Sequence, residues 1–517
     1  MSPLSLREFI QKLSETKISP FCWLSLSLSF VLRFCFLQTS PNGLDIDEAA
    51  ILYWGEQFLL HGKWYVYAPE FTRWEMLPGV IYSLLSGFGT ISVRLIPALI
   101  GVIEGVTLFT WLKQRYSTSL SAWGVALLWC TPWHFYYSRI VGTCTGIILL
   151  STVAYQLKGN ASRFGWNIFG LLYYTTFRLV WLRQAAVSIY QRQWKSLWPL
   201  AFSLLSVSVL VLLSRSEFSD FVSRGTYNFL NSSLDIGRNY FASLVYPFVP
   251  VLKGYYHTTD SFMADYVHAG LTFSLGAQPP LGWGVSILAV LSLHLSLTRI
   301  RRWDIGLWVE FIFLACLWIL LGFMGPSLSR GLIILPSLIY IVLSVAKEWK
   351  TRLRNQVFAL VCLVSLCGQA HVLNGLRDEE KLEPVFHARH FKVDQWVQGL
   401  EQPSPETVFY VVAFGHQSAR YWQSYSKNYQ LLPTLKPATF LMHLWTLSKN
   451  RDQIVIRELV PEEAAILSGY DQSSELERIW TNILQATVVQ ETGFLEDSRG
   501  KYAEWAKIRW PAGGPFR

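Results

Sequence analysis

Ser92 to Leu112 reads SVRLIPALIGVIEGVTLFTWL, and Lys113, Gln114 and Arg115 follow at once. As an α-helix these 21 residues would reach about 30 Å, the thickness of a bilayer's hydrocarbon core. Basic residues just past such a run mark the cytoplasmic side of a membrane span. The stretch therefore predicts a transmembrane helix that enters from outside and ends inside. It sets the parity of every run before and after it.

The composition agrees. Of 517 residues 51% are hydrophobic and 15% charged, against about 25% charged in ordinary soluble domains. The net charge of +9 does not imply nucleic-acid binding, because the Lys and Arg residues sit mainly in short segments between apolar runs, as the positive-inside rule requires. Seven cysteines, Cys22, Cys35, Cys130, Cys144, Cys316, Cys362 and Cys367, all lie in apolar stretches, so they form neither a disulfide framework nor a zinc site.

Working outward, Phe21 to Gln38 is a retained first span with a cytoplasmic N-terminus. Leu120 to Tyr137 goes out, and Ile140 to Leu157 returns to Lys158 and Arg163. Residues 165–193 contain Arg178 and Arg183, and the charge alternation is kept only if they form two short helices turning near Arg178. Leu197 to Leu213, Leu281 to Leu297, Ile305 to Phe323, Gly331 to Ala346 and Val357 to Val372 complete about 11 transmembrane helices. Loops 39–91 and 214–280 then face outward. Residues 1–372 make a polytopic α-helical membrane domain. Residues 373–517 make a small extracytoplasmic C-terminal α/β domain, with β-type runs at 407–414, 453–459 and 486–493 and a helix-like PEEAAILSGY.

The chemistry-bearing residues gather at span ends. GLDIDEAAILYW, residues 43–54, holds Asp45, Asp47 and Glu48 just past the first span. They read either as solvated acids opening an interfacial helix, or as a general base or metal ligand for a lipid-linked substrate.

The order of motifs after them resembles the GT-C superfamily of integral-membrane glycosyltransferases, in particular bacterial relatives of the protein O-mannosyltransferases and of the aminoarabinose transferase of lipid A. The matching pieces are Asp47-Glu48, Gly62-Lys63-Trp64, Pro78 in an interfacial segment, Arg94 to Gly101 (RLIPALIG) and Pro132 to Arg139 (PWHFYYSR). The likeness covers about the first 185 residues and continues weakly through SLSRGLIILPSLIYI. It implies an enzyme of the cell (plasma or inner) membrane. Such an enzyme moves a hexosyl or pentosyl unit from a polyprenyl-phosphate donor to a glycan, lipid or protein acceptor at the outer face. Membrane lipids are its other partners.

By the same resemblance Asp47 is the catalytic carboxylate, Glu48 its neighbour and Asp45 a supporting acid. Arg139, Arg178, Arg73 and Arg330 are the carrier-phosphate candidates, since a guanidinium pairs bidentately with phosphate; Arg94 suits a structural anchor better. No cofactor is certain, and a divalent cation (Mg or Mn) with Asp47 among its ligands is left open. Two departures stand out. No carboxylate follows Arg139 until Glu217, where relatives place a second acid, and Arg73-Trp74-Glu75-Met76-Leu77-Pro78 replaces the relatives' Lys-Pro-Pro.

Weaker signals are His134, read as an interfacial belt residue, and the group His257, Asp260, Asp265 and His268, which lacks any metal-site spacing. His416 and Tyr421 are acceptor-contact candidates without a pattern. The rivals to an enzyme are a transporter or flippase of a lipid-linked or anionic solute, using midplane charges, and an inactive scaffold of the same fold.

Overall fold

Long apolar stretches without internal hydrogen-bonding partners can satisfy their backbone only as helices, and in the computed structural model the described residues up to 377 are mainly helical. It describes residues 18–37, 81, 84, 90–140, 144–173, 177–213, 244–249, 278–300, 304–324, 331–377, 393, 396–397, 399–400, 408–412, 430–433, 441, 444–447, 452–459, 472–497 and 500–511. In chain order the helices are α1 (Pro20–Phe34), α2 (Thr90–Leu112), α3 (Thr118–Cys130), α4 (Pro132–Tyr137), α5 (Ile147–Gln156), α6 (Asn160–Tyr173), α7 (Phe177–Tyr190), α8 (Leu197–Leu213), α9 (Trp283–Thr298), α10 (Ile305–Met324), α11 (Leu335–Ala346) and α12 (Thr351–Gly375). Without the single-turn-and-a-half α4, eleven helices stand where the sequence predicts spans, counted over the described residues. Residues 165–193 do form two helices, α6 and α7.

The chain divides into two compact units, Met1–Asn42 with Trp54–Val385, and Gly43–Tyr53 with Phe386–Arg517. In the first, α3 is the central helix, with Leu120 to Cys130 buried on every side. A helix apolar all round has to be enclosed, and α1, α2, α11 and α12 pack around this one. Small residues allow the approach: a Cβ at Gly124 would lie 2.5 Å from Leu112 and 3.0 Å from Leu343. The outer surface is the reverse of a soluble protein's. Phe21, Leu24, Trp198, Leu205, Ile287 and Leu360 are each more than half exposed, which suits a molecule bathed in hydrocarbon. Among the described residues, Arg94–Leu112 and Thr351–Gly375 are each long and apolar enough to cross a bilayer unaided.

The basic helix ends meet at one end of this unit. The Tyr116 hydroxyl lies 2.6 Å from Ser344 Oγ, Arg299 pairs with Glu348, and the Trp123 indole donates to Asn355 Oδ1 at 3.0 Å. The α2–α3, α9–α10 and α11–α12 connections are thereby neighbours, as the alternation of charge requires.

The second unit holds a five-stranded sheet of β1 (Val408–Val412), β2 (Gln430–Pro433), β3 (Gln453–Glu458), β4 (Val488–Asp497) and β5 (Gly500–Arg509), with helix α13 (Gln472–Ala486) before β4. Its order is β2-β1-β3-β5-β4. The first three strands are parallel, and β5 runs antiparallel to both β3 and β4. Leu476, Ile479, Trp480 and Ile483 of α13 recur at helical spacing and pack with Phe409, Val411, Val455, Ala506 and Ile508 of the sheet. The sequence places β1, β3 and the start of β4. It misses β2, β5 and α13, while PEEAAILSGY lies outside the described residues. The division falls after Val385, and α12 runs to Gly375.

Candidate functional site

The polar heart of the helical unit is built around two helix breaks. The first ends α3. Pro132 has no N–H, so the helix cannot pass through it, and the residue before a proline is pushed to extended geometry. Thr131 has φ −65° and ψ 122°. The Trp133 amide turns away to Pro280 O at 2.8 Å, leaving the Trp129 carbonyl to be satisfied by side chains. Ser29 Oγ donates to it at 2.7 Å, Gln369 Nε2 donates to it, and Arg33 Nη2 approaches to 3.5 Å.

The second break ends α1. Cys35 is extended, and Phe36 has φ +55°, a left-handed conformation uncommon for a bulky residue. Its neighbouring carbonyls are met by cations. Arg139 Nη1 donates to the carbonyls of Leu32 (3.1 Å), Arg33 (2.8 Å) and Cys35 (2.8 Å), and its Nη2 donates to that of Phe36 (3.2 Å). Arg94 Nη1 donates to Leu37 O at 3.2 Å. The Arg377 guanidinium stacks 5.0 Å from the Phe36 ring centroid.

Between the two breaks lies a chain of ionisable groups. Arg33 Nη2 is 3.0 Å from His134 Nδ1, and His134 Nε2 is 2.9 Å from Glu104 Oε2. Arginine can only donate, so Nδ1 is the acceptor and the ring is the neutral tautomer whose Nε2–H donates to Glu104. The other carboxylate oxygen, Oε1, accepts from the Leu149 amide at 3.4 Å, in the first turn of α5, whose N-cap Gly146 adopts φ +84°. All three side chains are at most 5% exposed. A narrow crevice lined by Pro97, Ile100, Glu104, His134, Ser138 and Gly146 runs alongside them.

A second buried ion pair joins Arg183 of α7 to Glu310 of α10, and Ser337 Oγ donates to the same carboxylate at 2.6 Å. The Arg183 guanidinium lies 3.7 Å from the centroid of Tyr155.

Of the residues singled out in the sequence, Asp45, Asp47, Glu48, Arg73 and Arg330 lie outside the described residues, as do His257, Asp260, Asp265, His268, His416 and Tyr421. Arg178 is exposed in the first turn of α7. Arg139 is fully buried and donates to backbone carbonyls at the end of α1. Arg94 has the anchoring position expected of it. His134 is corrected: at 1% exposure it is an interior hydrogen-bonding residue, not a belt residue. Sequence reasoning missed Arg33, Glu104 and Glu310. Their signal was present, since an ionisable residue inside an apolar run demands a partner. All seven cysteines are free. Among the described residues no group of three or more His, Cys, Asp or Glu is placed to hold a metal ion.

The fold made by these helices and the α/β unit is one that solved structures share. Among solved structures, ArnT from Cupriavidus metallidurans bound to undecaprenyl phosphate matches with a TM-score of 0.54 and 12% identity, over 94% of this chain and 97% of ArnT. The apo state of the same protein matches with a TM-score of 0.53 and 13% identity over the same shares. The Archaeoglobus fulgidus oligosaccharyltransferase aligns more loosely, with a TM-score of 0.45 and 11% identity over 96% of this chain and 75% of that one. No protein-family model and no curated protein sequence matches the chain.

Proposed function

We propose that this protein is a multi-pass membrane glycosyltransferase that moves a sugar from a polyprenyl-phosphate donor to an acceptor at the outer face of the membrane. One observation carries the reading: the fold agrees along 94% of the chain with a protein whose structure holds undecaprenyl phosphate. Asp47 is the base that takes a proton from the acceptor's hydroxyl or amine, with Glu48 beside it and Asp45 in support. Arg178, exposed on α7, receives the carrier phosphate together with Arg73 and Arg330. Guanidinium donors there stabilise the charge that grows on the phosphate as the sugar leaves. The apolar carrier tail lies along the hydrocarbon-facing helices and places the reacting bond by binding at a distance from it. The basic helix ends face the cytoplasm, with the N-terminus on that side.

The test is transfer from a panel of radiolabelled polyprenyl-phosphate sugars by purified protein in lipid nanodiscs. Asp47→Asn should lower kcat by about 10²–10⁴, the usual weight of a general base, while the variant stays folded and inserted. Undiminished turnover by Asp47→Asn would remove that residue from the chemistry. Consumption of no donor by the native protein, across the panel and with acceptors of all three classes, would count against the enzyme reading itself.

A further inference from the structure

Helix α7 ends in a turn that puts a charged side chain where glycine is usual. The Gln193 amide returns to Ser188 O at 2.8 Å and the Arg192 amide to Ile189 O at 3.0 Å. These are the paired closing bonds of a helix end that needs one left-handed residue, ordinarily glycine. Here that residue is Arg192, with φ +54°. Glycine would take the conformation without strain, so a long side chain held there points to a use for the side chain itself.

The turn gathers cations. Asn167 and Gln184 exchange side-chain hydrogen bonds at 3.4 and 3.3 Å. Asn167 lies seven residues after Asn160, where α6 starts, and Gln184 six before Tyr190, where α7 stops, so those two helix ends stand at one level. After the short turn Trp194–Ser196, α8 packs along α6. Lys158, Arg192 and Lys195 are thereby exposed at one end of the three helices, and Arg163 beside them donates from Nε to Leu157 O at 2.7 Å. None of the four has a carboxylate partner among the described residues, and the sequence supplies none nearby: Gly105 to Ser216 contains no Asp or Glu. The other basic helix ends differ, since Arg299 pairs with Glu348 and Asp304 Oδ1 accepts from the Leu307 amide at 2.8 Å.

Aromatic and apolar side chains continue the patch. Tyr190, Trp194 and Trp198 are each more than half exposed around the cations, as tyrosine and tryptophan are at the level of lipid headgroups. From Trp198 an exposed stripe runs along α8 through Phe202, Leu205 and Val209 at helical spacing, with its first two rings 5.9 Å apart. Cations at the start of such a stripe suit an anionic headgroup, and the stripe suits its acyl chain. A soluble anion would use the first and not the second.

We propose that Lys158, Arg192 and Lys195, with Trp194 and the α8 stripe, form a binding site for a diacyl phospholipid of net negative charge. The inference goes beyond glycosyl transfer and does not rest on it, and the carrier phosphate assigned to Arg178 belongs to the opposite end of α7.

The test uses the full chain, purified in detergent and stripped of lipid. It is titrated with dioleoyl phosphatidylglycerol or dioleoyl phosphatidylcholine, and native mass spectrometry counts the bound molecules. The first phosphatidylglycerol should bind about tenfold or more tightly than phosphatidylcholine, as three cations at an anionic headgroup imply. Arg192→Gly should weaken it about fivefold, the weight of one such cation. The same variant should unfold at the native temperature or above it in phosphatidylcholine nanodiscs, because the strain leaves with the side chain. An arginine kept for stability alone would show the reverse pattern. Lys195→Gln should weaken binding by a similar factor and decides the matter should Arg192→Gly not fold. Arg352→Gln removes the same charge from α12, which packs on α1, α3 and α9, and should leave the affinity within about twofold, its charge being screened by salt. Equal losses in Arg352→Gln and Arg192→Gly, or equal binding of the two lipids, would overturn the site in favour of general charge attraction. Displacement of the lipid by inorganic phosphate would make it a site for soluble anions, and displacement by equimolar undecaprenyl phosphate would make it the carrier's own; either result overturns the proposal.

Discussion

At the residue scale, the arginine after the tyrosine pair is the informative case. Arg139 stands in PWHFYYSR, a motif whose position at a span end suggests a phosphate ligand. Its guanidinium instead collects carbonyls left unpaired where α1 stops. Hydrogen bonds from a charged donor contribute about 1.5–3 kcal/mol each, and a buried acceptor left bare costs about 1–3 kcal/mol. Arg139→Leu should therefore destabilise the helical unit by several kcal/mol. Arg139→Lys, whose compact ammonium cannot reach four carbonyls in a fork, should lose roughly half as much. Thermal unfolding in matched detergent checks both; equal stability of the three proteins would show that the carbonyls find other donors. The residue's weight was legible in the sequence and its partner was not, since the partners lie more than one hundred positions earlier and are backbone atoms without a side-chain signature. Glu104 was legible in principle: a carboxylate in an otherwise apolar run announces a buried partner.

At the element scale, helix contacts follow from where side chains are missing. The Trp129 indole donates to Gly101 O at 3.1 Å and lies across Gly105, where a Cβ would collide with the ring. Gly101 and Gly105 are spaced by four and so share one face of α2, as small residues do where membrane helices meet closely. Gly165 of α6 has nothing within 4 Å of its would-be Cβ and is exposed. The same substitution should then act in opposite directions. Gly105→Ala should cost about 1–3 kcal/mol by overpacking, while Gly165→Ala should gain about 0.4–1 kcal/mol by restricting the unfolded chain. Unfolding midpoints that move in the same direction would defeat the packing account. Helices of the first unit were legible because apolar length and flanking charge are one-dimensional signals. Strand β5, GKYAEWAKIR, was not: its charged residues spoil the apolar alternation, and it is held by pairing with β3 on one side and β4 on the other, including Arg457 on β3 opposite Glu504 with Nε donating to Oε2 at 2.7 Å. Tertiary pairing overrode local pattern there.

At the scale of the whole molecule, the chain carries two cores made by different rules. In the helical unit apolar side chains face outward as well as inward, and polar groups are gathered inside. In the second unit the usual order holds, with Ile483 and its neighbours enclosed and charged residues outside. Two cores in one chain make a single unfolding free energy ill-defined, and that becomes a test. Ile483→Ala removes a fully buried side chain and should lower the stability of the second unit by about 2–5 kcal/mol, shifting one thermal transition. Undecaprenyl phosphate at about one hundred times its Kd should add about 2.7 kcal/mol to whichever unit binds it, and on the proposed function that is the other transition. Calorimetry in nanodiscs, with and without the lipid, reads both shifts in one series. If the lipid moves the transition that Ile483→Ala moves, the carrier is recognised by the α/β unit, and the phosphate-binding role given to Arg178 falls. If each perturbation moves its own transition, the helical unit is where the carrier binds.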